Sequence, residues 1–196
     1  MARSAEVNRE TSETQINLRL VLDGTGKAEV ETGVGFFDHM LTLFAKHGAV
    51  DLIVKARGDL HIDAHHTVED VGICLGQAIT KAVGDKAGIR RYGHFTLPMD
   101  ESLVTAALDL SGRPFFSWHV QVANEQLGAF NSTLAEEFWR AVGATGLMNL
   151  HVLCHYGKNA HHILEAVFKA SARALRMAVE IDPRVSGVPS TKGTLT

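Results

Sequence analysis

The chain has 196 residues, 45% of them hydrophobic and 21% charged, enough to bury a sizeable core in one domain or two small halves packed as one. Its formal net charge of −3 gives no electrostatic case for nucleic acid or an anionic membrane. No stretch approaches the roughly 18 apolar residues of a bilayer span, and the opening MARSAEVNRE lacks the apolar core of a secretory signal, so a cytoplasmic setting is expected.

In chain order, Thr14 to Leu22 alternates, with Ile16, Leu18, Leu20 and Leu22 on one face, and reads as a strand. Asp23-Gly24-Thr25-Gly26 is a turn signal, and Lys27 to Thr32 reads as the return strand of a hairpin. Phe36 to His47 has helical spacing through Phe37, Met40, Leu41 and Phe44, closed by Gly48. Asp51 to Arg57 is a further strand, and His65 to Val83 a helix. Arg91 to Met99 and Ser102 to Asp109 read as paired strands, followed by an additional strand from Pro114 to Val122. Leu134 to Thr145 is helical, Asn149 to Tyr156 a strand, and His161 to Glu180 a helix. The tail from Asp182, with Pro183, Gly187, Pro189 and Gly193, reads as loop. Cys74 and Cys154 lie in apolar runs and are expected to be reduced, buried thiols.

Each half is thus strand, strand, helix, strand, helix, with one extra strand in the second. That order predicts an α+β fold of duplicated half-domains, about residues 10–90 and 91–181, followed by a tail over 182–196. Each half would be a sheet with helices on one face, the whole chain forming a single domain.

A cassette marks the duplication. His65-His66-Thr67-Val68-Glu69 recurs as His161-His162-Ile163-Leu164-Glu165, 96 positions later, at the start of the last helix of each half. At about 100° per residue, i and i+4 share a helix face, so His65 with Glu69, or His161 with Glu165, can reach one metal ion. A single copy is weak evidence, because polar residues and carboxylates favour helix N-termini anyway. Two copies in register argue for two metals. His39, 26 residues before the first doublet, and Glu137, 24 before the second, occupy comparable helices. Pseudosymmetry therefore assigns His39, His65 and Glu69 to one ion and Glu137, His161 and Glu165 to the other. His66 and His162 are left for the opposite site or a neighbouring subunit. Imidazole and carboxylate donors without thiolate suit Mn²⁺, Fe²⁺, Co²⁺ or Zn²⁺ better than Mg²⁺ or Ca²⁺.

The segments FFDHML, HHTVED, SGRP, the second HH-x-x-E with Ala166-Val167-Phe168-Lys169-Ala170, and PSTKG resemble the imidazoleglycerol-phosphate dehydratase family over nearly the whole chain, from about Arg9 to Lys192. The resemblance implies a ribosomal protein S5 domain 2-like fold, two manganese ions per active site, and a 24-subunit homo-oligomer with active sites between subunits. It implies dehydration of D-erythro-imidazole glycerol phosphate to imidazole acetol phosphate in histidine biosynthesis. The proton to be removed sits on a carbon attached to an imidazole, with no carbonyl beside it. Two Lewis acids, one on each ring nitrogen, would make the ring an imidazolate able to push out hydroxide. By resemblance Glu13 is the acid/base, and Arg91, Arg113, Lys169, Ser190 and Lys192 match phosphate-binding positions. Read alone, Glu13 is an exposed glutamate before a strand, Arg113 a turn residue, and Lys169 an i,i+4 partner of Glu165. Glu137 departs from the family, where many relatives carry histidine.

Two other classes remain open at this stage. A metal-storage shell has no need for Arg91, Arg113 and Lys169 converging near the metals. A dinuclear hydrolase would tolerate substrates lacking the ring.

Overall fold

Backbone pairing, more than apolar alternation, decides the first sheet. The computed structural model describes residues 2–195. It opens with β1 (Ser4–Glu10), a strand with one buried apolar residue, Val7, held by antiparallel pairing with β2 (Thr14–Val21). With so little burial β1 carries no period-2 signal, which is why the sequence reading leaves it out. β2 buries Ile16, Leu18 and Leu20 as its alternation predicts.

The expected hairpin partner of β2 is elsewhere. β3 (Ala28–Glu31) pairs parallel with β4 (Asp51–Gly58), with Ala28 opposite Leu52, and β2 lies between β1 and β4. The Asp51 carboxylate redirects the turn, accepting the backbone N–H groups of Thr25 at 2.7 Å and Lys27 at 3.0 Å. These bonds also hold the Asp51 carboxyl below its ordinary pKa. Between β3 and β4 runs α1 (Gly35–Gly48), closed by Ala49 in the left-handed region at φ 52°. α2 (His65–Val83) completes the half.

The second half follows the same plan: β5 (Tyr92–Met99), β6 (Ser102–Asp109), β7 (Phe115–His119), α3 (Leu134–Thr145), β10 (Asn149–Tyr156) and α4 (Ala160–Val179). Its sheet order, β5-β6-β10-β7, matches β1-β2-β4-β3 strand for strand. β7 is therefore the counterpart of β3 and not an addition. The unmatched element is a small hairpin of β8 (Gln126–Leu127) and β9 (Phe130–Asn131).

α2 covers β1 and β2, α4 covers β5 and β6, and the helices pack across the halves, α2 on α3 and α1 on α4. An aromatic chain marks that seam. Phe37 of α1 meets Phe138 of α3 edge-on at 5.2 Å, and Phe138 stacks on Phe168 of α4 at 5.3 Å. All three are fully buried, and truncating one such ring costs about 3–5 kcal/mol. The core is one continuous cluster spanning both halves. Cys74 is buried in it, and burial pushes its thiol up to about 11; Cys154 is half-buried, more open than expected. Among the described residues, no helix is long and apolar enough to cross a membrane.

Candidate metal centre

Both cassettes begin helices that press on the end of the preceding strand. At Gly58, the last residue of β4, a Cβ would lie 2.0 Å from Thr67 Oγ1 of α2; at Gly157, after β10, it would lie 2.7 Å from Ile163 Cγ1 of α4. Only glycine lets each helix N-terminus come this close. The doublets are thereby set against the strand ends and the β1–β2 and β5–β6 turns.

The second cassette meets His39 across the seam. His39 Nε2 lies 3.5 Å and His161 Nε2 3.2 Å from Glu165 Oε2, and the three ligand atoms fall within 4.8 Å of one another. Phe36 packs edge-on against the His161 ring at 5.1 Å. Burial works to raise the Glu165 carboxyl, but the hydrogen bond and charge of Lys169, on the next turn, outweigh it and hold it below the usual range. This grouping differs from the partition expected from pseudosymmetry, which put His39 with the first cassette. The cause is packing: α1 lies on α4, so within one chain His39 faces His161.

The first cassette is open. His65 Nε2 stands 3.9 Å from Glu69 Oε2, both side chains near two-fifths exposed, and among the described residues they gather no third ligand. Glu137 lies 3.8 Å from Arg140 Nη2 on its own helix and joins no ligand group among the described residues. The expected set of Glu137, His161 and Glu165 is therefore not assembled within one chain.

The remaining doublet histidines each face carboxylates. His66 Nδ1 is 2.9 Å from Asp59 Oδ2 and 3.8 Å from Glu13 Oε2. His162 Nδ1 is 2.7 Å from Glu101 Oε2, and its Nε2 is 3.6 Å from Asp100 Oδ2. These bonds raise both imidazole pKa values; the Glu101 carboxyl is held far down by the backbone N–H of Asn159, by His162 and by the N–H of Lys158. Asp59, Asp100 and Glu101 are absent from the sequence reading. The usable signal was strand alignment, because Glu101 precedes β6 as Glu13 precedes β2.

Glu13 is exposed, but its turn is fixed. Thr11 Oγ1 accepts the N–H groups of Glu13 at 3.1 Å and Thr14 at 3.0 Å. The Thr14 hydroxyl donates to the buried Asp70 of α2, which also pairs with Arg9 at 2.8 Å. Asp70 thus ties the β1–β2 turn to the helix bearing the first cassette.

Of the expected phosphate residues, Arg91, Arg113, Ser190 and Lys192 lie toward the other end of the second half, and Lys169 does not. Arg91 donates from Nε and Nη2 to both Asp109 oxygens at 2.7 and 3.0 Å, and from Nη1 to the Pro189 carbonyl at 3.0 Å. Arg113 is exposed on the β6–β7 loop, and its carbonyl accepts from Asn149. In the tail, the Lys192 N–H donates to Ser190 Oγ at 3.1 Å, and the buried Lys86 donates to the Leu195 carbonyl at 3.4 Å. Arg91 N–H binds the Ala178 carbonyl near the end of α4. His161 and Ala178 are 17 positions apart, about 26 Å along a helix at 1.5 Å per residue. Lys169 lies between, paired with Glu165. The expected convergence of Arg91 and Arg113 on the metal ligands does not occur inside one chain.

As chemistry, the donor sets fit a divalent transition ion. Imidazole nitrogens and carboxylates crowd together without thiolate at His39, His161 and Glu165, and again at Glu13, Asp59 and His66. Asp59 Oδ1 is buried with no hydrogen-bond partner.

Comparison with known proteins points to one family. The family model described as imidazoleglycerol-phosphate dehydratase matches residues 32–175. The imidazoleglycerol-phosphate dehydratase of Rhodopirellula baltica is 55% identical over 99% of this chain and 96% of its own. That of Paracoccus denitrificans is 59% identical over 98% of this chain and 100% of its own. Among solved structures, the Staphylococcus aureus dehydratase superposes with a TM-score of 0.83 at 38% identity, covering 91% of this chain and 99% of that one. The Pyrococcus furiosus protein, solved in complex with (S)-C348, gives 0.84 at 35%, covering 96% and 100%.

Proposed function

Because this chain belongs to the imidazoleglycerol-phosphate dehydratase family, the hydro-lyases of histidine biosynthesis, we propose that it dehydrates D-erythro-imidazole glycerol phosphate to imidazole acetol phosphate at a manganese-dependent site completed between copies of the chain. The observation that carries this reading is the separation along α4. His161 and Glu165 stand with His39 at one end, and Arg91 with the tail at the other, about 26 Å away. One small substrate cannot reach both ends of one chain. A second copy that brings its phosphate end to the first copy's ligands supplies what is missing, and the open pair His65 and Glu69 calls for the same completion. A homo-oligomer of 24 subunits, as the family resemblance implies, is the assembly proposed. A cytoplasmic setting belongs to the same reading.

Two manganese ions per site, when bound at the two ring nitrogens, would hold the substrate as an imidazolate and let the ring take up charge as hydroxide leaves. His39, His161 and Glu165 would hold one ion. His65, His66, His162, Glu69 and Glu137 are the remaining candidates, drawn from more than one copy. Glu13, exposed on a turn fixed by Thr11 and Thr14, would move the proton. Arg91, held flat by Asp109, presents a preset guanidinium to the phosphate, and Arg113, Ser190 and Lys192 lie on exposed or half-exposed loops able to close around it. Lys169 acts first on Glu165, keeping that buried carboxylate ionised.

The test is turnover by the purified, manganese-loaded protein. Imidazole glycerol phosphate should lose water, and analogues lacking the ring or the phosphate should not react. Release of inorganic phosphate, or equal turnover without the ring, would replace this reading with a hydrolase.

A further inference from the structure

Glu13 and Glu101 hold equivalent places in the two halves. Each immediately precedes the strand that pairs with the one leading to a cassette, and the registers agree from Val21 facing Asp51 and Asp109 facing Asn149 as far as Ile16 facing Ala56 and Val104 facing Cys154, beyond which a bulge in β10 adds one residue. His66 and His162 are likewise equivalent within the cassettes. Their contacts are not. Glu101 reaches its histidine, with Oε2 2.7 Å from His162 Nδ1. Glu13 stays 3.8 Å from His66 Nδ1, because Asp59 Oδ2 already occupies that nitrogen at 2.9 Å. Counting past that bulge, Gly157 matches Gly58, and the residue that matches Asp59 is Lys158, which offers no carboxylate.

The two halves thus place a carboxylate on the same ring atom of equivalent histidines, from positions that the duplication does not relate. A carboxylate accepts, so in the neutral form of both rings Nδ1 carries the proton and Nε2 keeps its lone pair for a ligand. Resting on the metal reading above, we propose that Asp59 and Glu101 are positioning residues that hold His66 and His162 with Nε2 presented to a metal ion, and that Asp59, by taking this role in the first half, releases Glu13 for proton transfer. The duplication supplied two glutamates; one is tied down and the other is free to act.

The geometry around Glu101 provides a specific variant. Its Oε1 accepts from the N–H groups of Lys158 at 3.1 Å and Asn159 at 2.9 Å and from the Ser102 hydroxyl at 3.1 Å. In Glu101→Gln the carbonyl oxygen keeps those three donors, and the NH₂ group must face His162 Nδ1. The ring proton is driven to Nε2, the ligand lone pair is lost, and the contacts to the start of α4 survive.

Manganese affinity, measured by chelator competition, should fall about 10- to 100-fold at one of the two sites in Glu101→Gln, while the metal-free protein melts close to wild type. Asp59→Ala should weaken one site similarly, and Glu13→Gln should leave affinity unchanged. Wild-type affinity at both sites in Glu101→Gln and Asp59→Ala would overturn the positioning role and leave the metal reading intact. Loss of affinity in Glu13→Gln would overturn the release of Glu13. A wild-type chain that takes up no manganese would sink both the metal reading and this inference.

Discussion

Arg91 and His161 stand at opposite ends of α4: Arg91 N–H binds the carbonyl of Ala178 in the last turn, and His161 lies in the first. If the phosphate and the metals are served by different copies, defects in the two should complement. Chains carrying Arg91→Ala or His161→Ala should each be inactive. Co-assembled in equal amounts, they should recover about a quarter of wild-type turnover, the share of sites drawing both intact ends at random. A mixture no more active than its components would return both ends to one chain.

Glu13 and Glu165 should fail differently. Glu13→Gln should lower kcat by about 10²- to 10⁴-fold, the usual worth of a proton-transfer group, with metal content near normal. Glu165→Gln, or Glu69→Gln, should lower bound manganese, seen by elemental analysis of the dialysed protein. Loss of metal in Glu13→Gln would make Glu13 a ligand.

Some of this was legible in the residues and some was not. The i,i+4 relation of His161 and Glu165 and the buried face of α1 follow from helix geometry alone, and the buried face of β2 from strand alternation. The partner of His39 depends on how α1 packs across the seam, which no local spacing encodes. β3 reads as a hairpin strand because the turn signal at Asp23 to Gly26 is real, but Asp51, far along the chain, decides which strand it serves. β1 lacked a pattern because its stability comes from backbone pairing around one buried valine. Glu101 is silent in the sequence, because a lone exposed glutamate before a strand carries no signal until the two halves are aligned strand by strand.

Arg113 tests the phosphate end. Its guanidinium is exposed, so Arg113→Ala should fold normally, and loss of one charge-assisted contact worth about 1.5–3 kcal/mol should raise KM about tenfold or more. Steady-state kinetics decides, and an unchanged KM would remove Arg113 from the site.

Thr14 joins the turn of Glu13 to α2. Thr14→Val keeps the shape but leaves the buried Asp70 without that donor, at a cost of about 1–3 kcal/mol to stability in denaturant titration. Because the Glu13 turn loosens with it, kcat should fall while manganese content stays constant. A stability loss with unchanged kcat would separate Asp70 from catalysis.

The central claim is most directly tested by titrating manganese into metal-depleted protein and following dehydration of imidazole glycerol phosphate. The account predicts no turnover at the start and a rise that levels off at two equivalents per chain, reversed by chelator. Full turnover by the metal-depleted protein, or none at any manganese level, would contradict it.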